Sequence, residues 1–297
     1  MLAVADSMAQ WAAAMRAERY EVAWALSDAS LRARDPATRD DPALPYHLRW
    51  VWDGRAFDGQ DVLVRCYHGL GDVLQFARFL PALAARARSV TLEAPARLLP
   101  LLAHMPVRLV AFDEARPLSP SECDLEITEL DWALRLPPGA AAPPYLHAER
   151  ALLPPGTIGL CHAAGDWDPD RSLPAELLAP LTRHAPCITL AAQPSELPVL
   201  NPAGCPFDMS ATAALVAGCA LVVTVDTMIA HLAGALGRPV WLLLRAEPDW
   251  RWNPALRHSP WYPTMRLYAQ PSPGDWPAVI AAVERDLATV PLQAAES

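Results

Sequence analysis

The chain alternates short apolar runs with longer segments in which apolar residues recur every three to four positions. Short runs rich in β-branched residues are typical of buried strands, and the longer spacing is typical of amphipathic helices. The predicted strands are residues 61–66, 89–93, 107–110, 124–127, 157–161, 187–191, 220–225 and 240–244, and the clearest helices are residues 73–86, 211–218 and 276–287. Strands that alternate with helices predict an α/β fold with parallel sheets.

Three parts follow one another along the chain. Residues 1–46 are predicted to form a helical hairpin, with a helix on either side of Glu18–Tyr20, and a proline-containing linker. Residues 47–150 form the first predicted α/β domain and residues 151–297 the second, with a Pro- and Ala-rich crossover at residues 136–145 that suits a hinge. Because a lone hairpin cannot bury its own apolar face, we expect it to pack on the domain that follows.

Composition agrees with a cytoplasmic enzyme and argues against several other classes. Of the 297 residues 53% are hydrophobic, yet no uncharged apolar stretch is long enough for a membrane-spanning helix. The N-terminus lacks a basic segment followed by an apolar one, so no signal peptide is expected. The net charge of −9 argues against nucleic acid or an anionic membrane surface as the primary partner. The six cysteines include no Cys-x-x-Cys, so we expect buried, reduced thiols and no structural zinc.

The segment Tyr67–Gln75 is the most informative in the chain. It lies between a predicted strand and a predicted helix, outside the carboxyl end of the strand, where ligands bind in α/β sheets. Gly69 and Gly71 allow a tight turn and close approach to a ligand. Asp72 is left at the mouth of the helix, where its carboxylate either acts on a ligand or serves as an N-cap.

A second strand-to-helix turn has the same organisation. The apolar run 220–225 leads into Asp226 and Thr227, and the helix that follows ends at Gly237. The N–H groups and the positive dipole end of such a helix start suit a diphosphate. His231 lies one turn further on, on the same helix face as Thr227. The alternative is that Asp226 and Thr227 only cap the helix and that His231 packs in the interior.

Several segments, in a fixed order, carry a resemblance to a known family. They are residues 52–55, 69–72, 75–78, 171–174, 225–227, 230–239, 249–252 and 259–263. On these segments the chain, from about residue 50 to residue 287, resembles the glycosyltransferase domain of bacterial tetratricopeptide-repeat glycosyltransferases. That domain is similar to glycosyltransferase family 9, the heptosyltransferase family. The N-terminal hairpin resembles about one tetratricopeptide repeat.

The resemblance implies two Rossmann-like parallel-sheet domains that face a cleft, as in glycosyltransferase-B folds. It also implies an inverting, metal-independent glycosyltransferase that moves a sugar from a nucleotide-diphosphate sugar, such as an ADP-heptose-like donor, to a protein or glycan hydroxyl. The nucleotide sugar is the donor substrate, and no cofactor is expected. Asp166, Asp168 and Asp170 alternate but lack the glycine and glutamate of a calcium loop, so no metal is expected either.

Such a reaction needs a base that deprotonates the acceptor hydroxyl and positive charge that stabilises the departing diphosphate. By resemblance Asp72 is the base. His68, which departs from the family pattern, either assists Asp72 or replaces a polar contact. Arg171 supplies the positive charge, because a guanidinium binds phosphate in a bidentate manner. The alternative for Arg171 is a solvated charge in an acidic run.

The resemblance also implies a set of donor-binding residues. Thr227 and the amide of Met228 hold the diphosphate, Asp226 binds hydroxyls of the donor sugar, and His231 supports the same turn. Ser210 is expected to cap a helix near the nucleotide base. The complete expected set is Gly69, Gly71, Gln75, Met209, Ser210, Asp226, Thr227, Met228 and His231.

An aromatic, polar loop follows the last predicted strand. Aromatic faces stack on sugar rings and on guanidinium planes. We expect Trp252 and Trp261 to be buried instead, and Asp249 and Arg251 to line the site.

Two departures from the family pattern leave alternatives open. Tyr67 and His68 stand where the family often has Glu and Gln, which puts acceptor specificity in doubt. A long repeat array is almost absent, so either the acceptor is small or a partner protein presents it. The alternative function is a catalytically silent glycosyltransferase-like module that binds a partner. A sugar-nucleotide epimerase would need further acids and bases, which the sequence does not reveal.

Overall fold

A computed structural model describes residues 2–165, 168–206 and 208–292. Asp166, which begins the alternating acidic run, lies outside the described residues. The chain divides into two compact units, residues 1–142 and residues 143–297. Each unit contains one parallel sheet, so the predicted α/β fold with two parallel sheets is confirmed.

The first unit contains a four-stranded sheet. Its strands are β1 (Asp61–Arg65), β2 (Ser89–Ala94), β3 (Arg108–Ala111) and β4 (Cys123–Glu126). Its α-helices are α1 (Leu2–Arg16), α2 (Tyr20–Ala33), α3 (Leu70–Phe76), α4 (Leu80–Ala84), α5 (Leu99–Leu102) and α6 (Leu130–Leu134). The strands pair in parallel in the order β3-β2-β1-β4, and each falls on a predicted strand.

The second unit contains a five-stranded sheet. Its strands are β5 (Ile158–Cys161), β6 (Cys187–Thr189), β7 (Leu221–Val225), β8 (Val240–Leu244) and β9 (Met265–Ala269), and its α-helices are α7 (Met209–Gly218), α8 (Met228–Ala235) and α9 (Trp276–Leu287). The strands pair in parallel in the order β6-β5-β7-β8-β9. The strand β9 was not predicted, because its five residues include Arg266 and do not form a continuous apolar run.

Each sheet has one place where successive connections leave toward opposite edges. In the first sheet it lies between β1 and β4, and in the second between β5 and β7. In open α/β sheets ligands bind outside the carboxyl ends of the strands at such a switch point. The sheet order therefore directs attention to the segments that follow these four strands.

The helix predicted over residues 73–86 starts earlier and is interrupted. Gly69 is the N-cap of α3, and a 3-10 turn at Ala77–Phe79 separates α3 from α4. Pro81 lacks the N–H that would bond to the carbonyl of Ala77, so a continuous α-helix cannot form. The apolar spacing is the same on both sides of the break, which is why the pattern predicted one helix.

The predicted N-terminal hairpin is present as α1 and α2, and it packs on the unit that contains it. Trp24 of α2 is buried. Asp28 of the same helix accepts a hydrogen bond from the indole of Trp132 at 2.8 Å and forms an ion pair with Arg135 at 2.6 Å. These contacts join α2 to α6, as expected for a hairpin that cannot bury its own face.

The core of the second unit lies around its central strands. Every residue of β7 and β8 is buried, as expected for parallel strands covered on both faces. Trp276, Ile280 and Val283 of α9 pack into the same cluster. This packing makes β7 a rigid support for the turn that follows it.

A buried ion-pair network organises the first sheet. Arg65, at the end of β1, donates to Glu93 of β2 and to Asp124 of β4, each at 3.0 Å, and all three side chains are almost fully buried. Glu93 also accepts the N–H of Leu118, and Asp124 accepts the N–H of Ser121. One guanidinium therefore holds three strands and a loop in register.

We expect Arg65→Met to lower the free energy of unfolding by about 3–5 kcal/mol, because it leaves two buried carboxylates without their counter-charge. Urea denaturation followed by circular dichroism measures the loss. Arg88→Met is the matched control, since Arg88 pairs with Asp61 and Glu122 in the same unit but its side chain is 54% exposed. Exposed pairs contribute little, so equal losses in the two variants would contradict this account of the network.

Candidate active site

The turn after β7 places an acidic residue at the switch point of the second sheet. Asp226 directly follows Val225 and is only 7% exposed. Arg171, from the segment that follows β5, donates through Nη1 to the carbonyl oxygen of Asp226 at 3.0 Å. Two site residues predicted from separate motifs are thus brought together by the strands on either side of the switch point.

A small surface pocket opens at this place. The carboxyl end of β8 forms its apolar wall, and charged side chains form the rest. Its lining residues are Arg171, Asp226, Leu243, Leu244, Arg245, Pro248 and Asp249. The pocket therefore combines two guanidinium groups with two carboxyl groups at one edge of the sheet.

The carboxyl group of Asp226 has a pKa above the ordinary value of an aspartate. Burial raises its pKa to about 6, and the charge of Asp249 reinforces the shift. Arg251, Arg171 and the indole of Trp252 oppose it. A carboxyl group of this kind can accept hydrogen bonds when ionised and donate one when protonated. That capacity suits a ligand rich in hydroxyl groups.

The start of α8 offers backbone donors beside Asp226. Thr227 is the N-cap residue in extended conformation, and within the described residues its side chain makes no capping hydrogen bond. Thr227 therefore occupies the N-cap position without a side-chain cap, and its part in binding a diphosphate stays a prediction. The N–H of Ala230 donates to the carbonyl of Thr227, whereas the N–H groups of Met228 and Ile229 have no intrahelical acceptor. Such groups at the N-terminus of a helix suit an anion.

His231 lies in the interior of the second unit. Its Nδ1 is 3.0 Å from the hydroxyl of Tyr262, and its ring stacks on Trp252 with 5.7 Å between centroids. Gly234 leaves room for Tyr262, because a Cβ there would lie 2.4 Å from the ring. The interior alternative stated for His231 is thus the one observed, and its part in donor binding stays a prediction.

The loop after β8 divides as expected between buried and pocket-lining residues. Trp252 and Trp261 are buried, at 0% and 2% exposure. Asp249 lines the pocket and pairs with Arg251 at 2.8 Å, and the guanidinium of Arg251 lies over the ring of Trp250. The negative charge of Asp249 is therefore largely offset within the loop itself.

The start of α7 differs from the prediction. Asp208, not Ser210, is the N-cap, and its carboxylate accepts the N–H groups of Ser210 and Ala211. The helix begins at Met209, which is buried, whereas Ser210 is exposed. An aspartate at this position caps as well as a serine, so the sequence alone left the exact cap open. Contacts of Met209 and Ser210 with a nucleotide base stay predictions.

In the first unit, Asp72 is the third residue of α3 and not its N-cap. Its Oδ2 accepts the N–H of Gly69 at 2.9 Å, and the residue is half-buried. Neither Gly69 nor Gly71 has a positive φ, so the turn does not depend on a left-handed backbone conformation at either glycine. Gly69 instead gives the carboxylate room, because a Cβ there would lie 3.3 Å from Oδ2.

A histidine–carboxylate pair occupies the switch point of the first sheet. His68, after β1, has Nδ1 at 3.0 Å from Oε1 of Glu126, the last residue of β4. Glu126 is buried and also accepts the N–H groups of Tyr67 and Thr128, so its position is fixed. A carboxylate at Nδ1 favours a proton on that nitrogen and leaves Nε2 as a proton acceptor. Burial also raises the pKa of the adjacent Glu129 to about 7.

The expected donor residues fall into both units. Asp226, Thr227, Met228, His231, Met209 and Ser210 belong to the second unit, and Gly69, Gly71 and Gln75 to the first. Gln75 is fully buried in α3. Its contact with a donor stays a prediction, and burial of its side chain gives that prediction no support.

Three residues of these sites were not singled out by the sequence. Arg245 directly follows β8, Asp168 was assigned to an acidic run, and Glu126 was given no role. Arg245 and Asp168 form an ion pair at 3.1 Å next to Arg171. Their positions along the chain could have indicated them, because each of the three follows or ends a strand. The carboxyl ends of parallel strands lie at the same edge of a sheet, so such residues come close together.

Cysteines, metal ligands and membrane spans complete the description. All six cysteines are free and buried, as predicted. Within the described residues no group of three or more His, Cys, Asp or Glu side chains is arranged to hold a metal ion. Among the helices that the structure describes, none combines the length and apolarity needed to cross a bilayer.

We expect Asp226→Asn to become more stable relative to wild type as pH rises. The folded pKa of about 6 exceeds the ordinary value of about 3.9. Between these values the carboxyl group ionises in the unfolded chain but stays protonated in the folded one, so the stability of wild type falls as pH rises. Asparagine does not ionise. Its advantage should grow from about pH 4 to pH 6 and level off at about 2–3 kcal/mol.

Urea denaturation of both proteins across this pH range measures the difference. Asp170→Asn is the control, because Asp170 is exposed in the same segment as Arg171. A constant difference between Asp226→Asn and wild type at all pH values would show that burial does not perturb this carboxyl group.

Comparison with known proteins supports the resemblance. Residues 203–261 match the model of glycosyltransferase family 9 (heptosyltransferase), and this stretch includes β7, the Asp226 turn, α8 and the loop 245–261. A search of curated proteins finds no match to this chain.

Solved structures of similar fold come from the same group of enzymes. A glycosyl transferase family 9 protein from Veillonella parvula DSM 2008 aligns with a TM-score of 0.52 and 15% identity over 73% of this chain and 87% of its own. E. coli ADP-heptose lps heptosyltransferase II aligns with a TM-score of 0.52 and 17% identity over 77% and 99%. The iron-containing dodecameric glycosyltransferase TibC from E. coli H10407 gives 0.51 and 10% over 76% and 66%. The family match thus lies in the second unit, and the likeness to these structures shows that the chain shares their fold.

Proposed function

We propose that this chain transfers a sugar from a nucleotide-diphosphate sugar to a hydroxyl group, with inversion at the anomeric carbon. The observation that carries the proposal is the contact between Arg171 and the carbonyl of Asp226 at the switch point, beside the start of α8. This arrangement combines a guanidinium, helix N–H groups and a buried carboxyl group at one place. Asp226 and α8 lie inside the segment that matches the family model, and Arg171 precedes that segment.

The second unit is the donor side in this proposal. Arg171 and the N–H groups at Thr227 and Met228 bind the diphosphate and stabilise the charge that develops as it leaves. Asp226 binds hydroxyls of the donor sugar through its partly protonated carboxyl group. One structural neighbour is named as an ADP-heptose enzyme, which makes an ADP-heptose-like donor the first candidate.

The first unit is the acceptor side. Asp72 takes the proton from the acceptor hydroxyl as that oxygen attacks the anomeric carbon, and His68 assists through its pairing with Glu126. The bond between the anomeric carbon and the phosphate oxygen breaks, and the nucleotide diphosphate leaves with the electron pair. The positive charge for this step comes from Arg171 and the α8 dipole, so the proposed reaction uses no metal.

The acceptor is a protein or glycan hydroxyl. A partner protein that presents the acceptor is part of this proposal. Six free, buried thiols support a cytoplasmic location.

A silent binding module is the second candidate. The observation that favours it is the use of Asp72 Oδ2 in accepting the Gly69 N–H, a capping role that needs no chemistry. Such a module would bind the nucleotide sugar without turnover, and the two candidates differ in product formation only.

We expect one of a panel of ADP-, GDP-, UDP- and CMP-sugars to raise the melting temperature of the wild type by mass action. Asp226→Ala should lose most of this stabilisation, because it removes the donor-sugar contact at the pocket. Asp170→Ala, an exposed acid of the same unit, is the control and should behave as wild type. Stabilisation of wild type and Asp226→Ala to the same extent would refute the assigned donor site.

We expect Asp72→Asn to bind the stabilising nucleotide sugar as wild type does and to lose turnover by about 100-fold or more, the usual contribution of a positioned base. Release of the nucleotide diphosphate in the presence of acceptor glycans and proteins measures turnover, and NMR of the product reports the anomeric configuration. Asp58→Asn, an exposed acid of the same unit, is the control. Full turnover by Asp72→Asn would exclude Asp72 as the base, and a retained anomeric configuration would exclude inversion.

A further inference from the structure

Arg245 lines the proposed donor pocket, but it belongs to none of the segments that carry the family resemblance. It directly follows β8, its side chain is 35% exposed, and it lines the pocket together with Arg171. Its Nη1 lies 3.1 Å and 3.3 Å from the two carboxylate oxygens of Asp168. Its buried Nε–H donates to no acceptor among the described residues. The guanidinium of Arg245 thus binds a carboxylate through Nη1, while its Nε–H has no acceptor within the described residues.

Asp168 is shared between the two arginines of the pocket. Its Oδ2 lies 3.9 Å from Nε of Arg171 and 3.1 Å from Nη1 of Arg245. The carboxylate is itself partly exposed, at 23%. The guanidinium of Arg171 also donates to two carbonyl oxygens, that of Asp168 at 3.4 Å and that of Asp226 at 3.0 Å, so the Asp168 carboxylate is not its only contact.

The charges around the pocket identify which anion could take the place of Asp168. Asp249 is paired with Arg251, and Arg171 contacts Asp226 through the carbonyl oxygen, so among the described ion pairs Asp168 is the carboxylate that faces both Arg171 and Arg245. Phosphate oxygens and carboxylate oxygens are bound by guanidinium in the same bidentate geometry. A diphosphate carries more charge than one carboxylate and also reaches the N–H groups at the start of α8.

We propose that Arg245 is a diphosphate-binding residue and that Asp168 is an internal anion which the diphosphate of the donor displaces. The inference rests on the proposed function for the donor class, and it adds a binding residue and an exchange step to it. Before the donor binds, Asp168 holds the two guanidinium groups in place. On binding, the diphosphate replaces the carboxylate at Arg245 and Arg171, and Asp168 turns toward solvent.

A purely structural role for the Asp168–Arg245 ion pair predicts the opposite effect of Asp168→Asn on diphosphate binding. If Asp168 only positions Arg245, removal of its charge weakens diphosphate binding. If Asp168 competes with the diphosphate, removal of its charge strengthens binding, because the competing state is lost. The sign of the effect of Asp168→Asn therefore separates the two.

The test is isothermal titration calorimetry of the full chain with ADP as the probe. We expect Arg245→Ala to raise the dissociation constant about tenfold or more, through loss of a charge-assisted contact. Asp168→Asn should lower it by about threefold. Arg245→Lys, which keeps the charge but not the fork, should lie between Arg245→Ala and wild type, and guards against a folding defect in the alanine variant. Arg257→Ala is the control, since Arg257 pairs with Asp286 elsewhere in the unit.

Two results would overturn the proposal while the donor site itself stands. They are ADP binding by Arg245→Ala and Arg245→Lys that equals wild type, and weaker binding by Asp168→Asn. Failure of the wild type to bind ADP, GDP, UDP or CDP would instead remove the proposed function, and this inference with it.

Discussion

Parallel hydrogen bonding aligns the carboxyl ends of neighbouring strands at one edge of each sheet, and the rest of the account depends on that alignment. In the first unit β1 pairs with both β2 and β4, and in the second β5 pairs with both β6 and β7. Segments distant in sequence therefore meet at two switch points. His68 meets Glu126 at one, and Arg171 meets Asp226 at the other.

The two edges have different electrostatic character. The edge of the first sheet carries a buried, fixed carboxylate that orients a partly exposed imidazole, with Asp72 close by in sequence. It is suited to accepting a proton. The edge of the second sheet carries two guanidinium groups and a helix start, and it is suited to holding an anion that gains charge. Proton removal from an acceptor and stabilisation of a leaving group are the two requirements of glycosyl transfer.

Most of the fold could be predicted from the sequence, because buried strands of parallel sheets are continuous apolar runs. The eight predicted strands are all present, while β9 was missed because Arg266 interrupts its apolar pattern. The predicted helix boundaries agree with the structure less well than the predicted strands do. Pro81 divides the helix predicted after Asp72, and Asp208 caps α7 in place of Ser210, since local chemistry at a helix start is satisfied by more than one nearby residue.

The candidate sites were predicted only in part, because motifs mark single segments and sites join several. The motifs supplied Asp72, Arg171 and Asp226, but the partners Glu126 and Arg245 come from strands whose neighbours only the sheet order defines. For His231 the sequence left both a role at the phosphate turn and an interior position open, and it did not identify Tyr262 and Trp252 as the residues that contact its ring. No local pattern reports such long-range contacts.

The most direct test of the central claim is hydrogen–deuterium exchange of the whole chain with and without saturating ADP. Binding of a nucleotide diphosphate at the edge of the second sheet predicts slower exchange at residues 168–172, 227–230 and 245–249, with the central strands unchanged. Slower exchange confined to other segments, or no change in any segment, would contradict the assignment of this edge as the donor site.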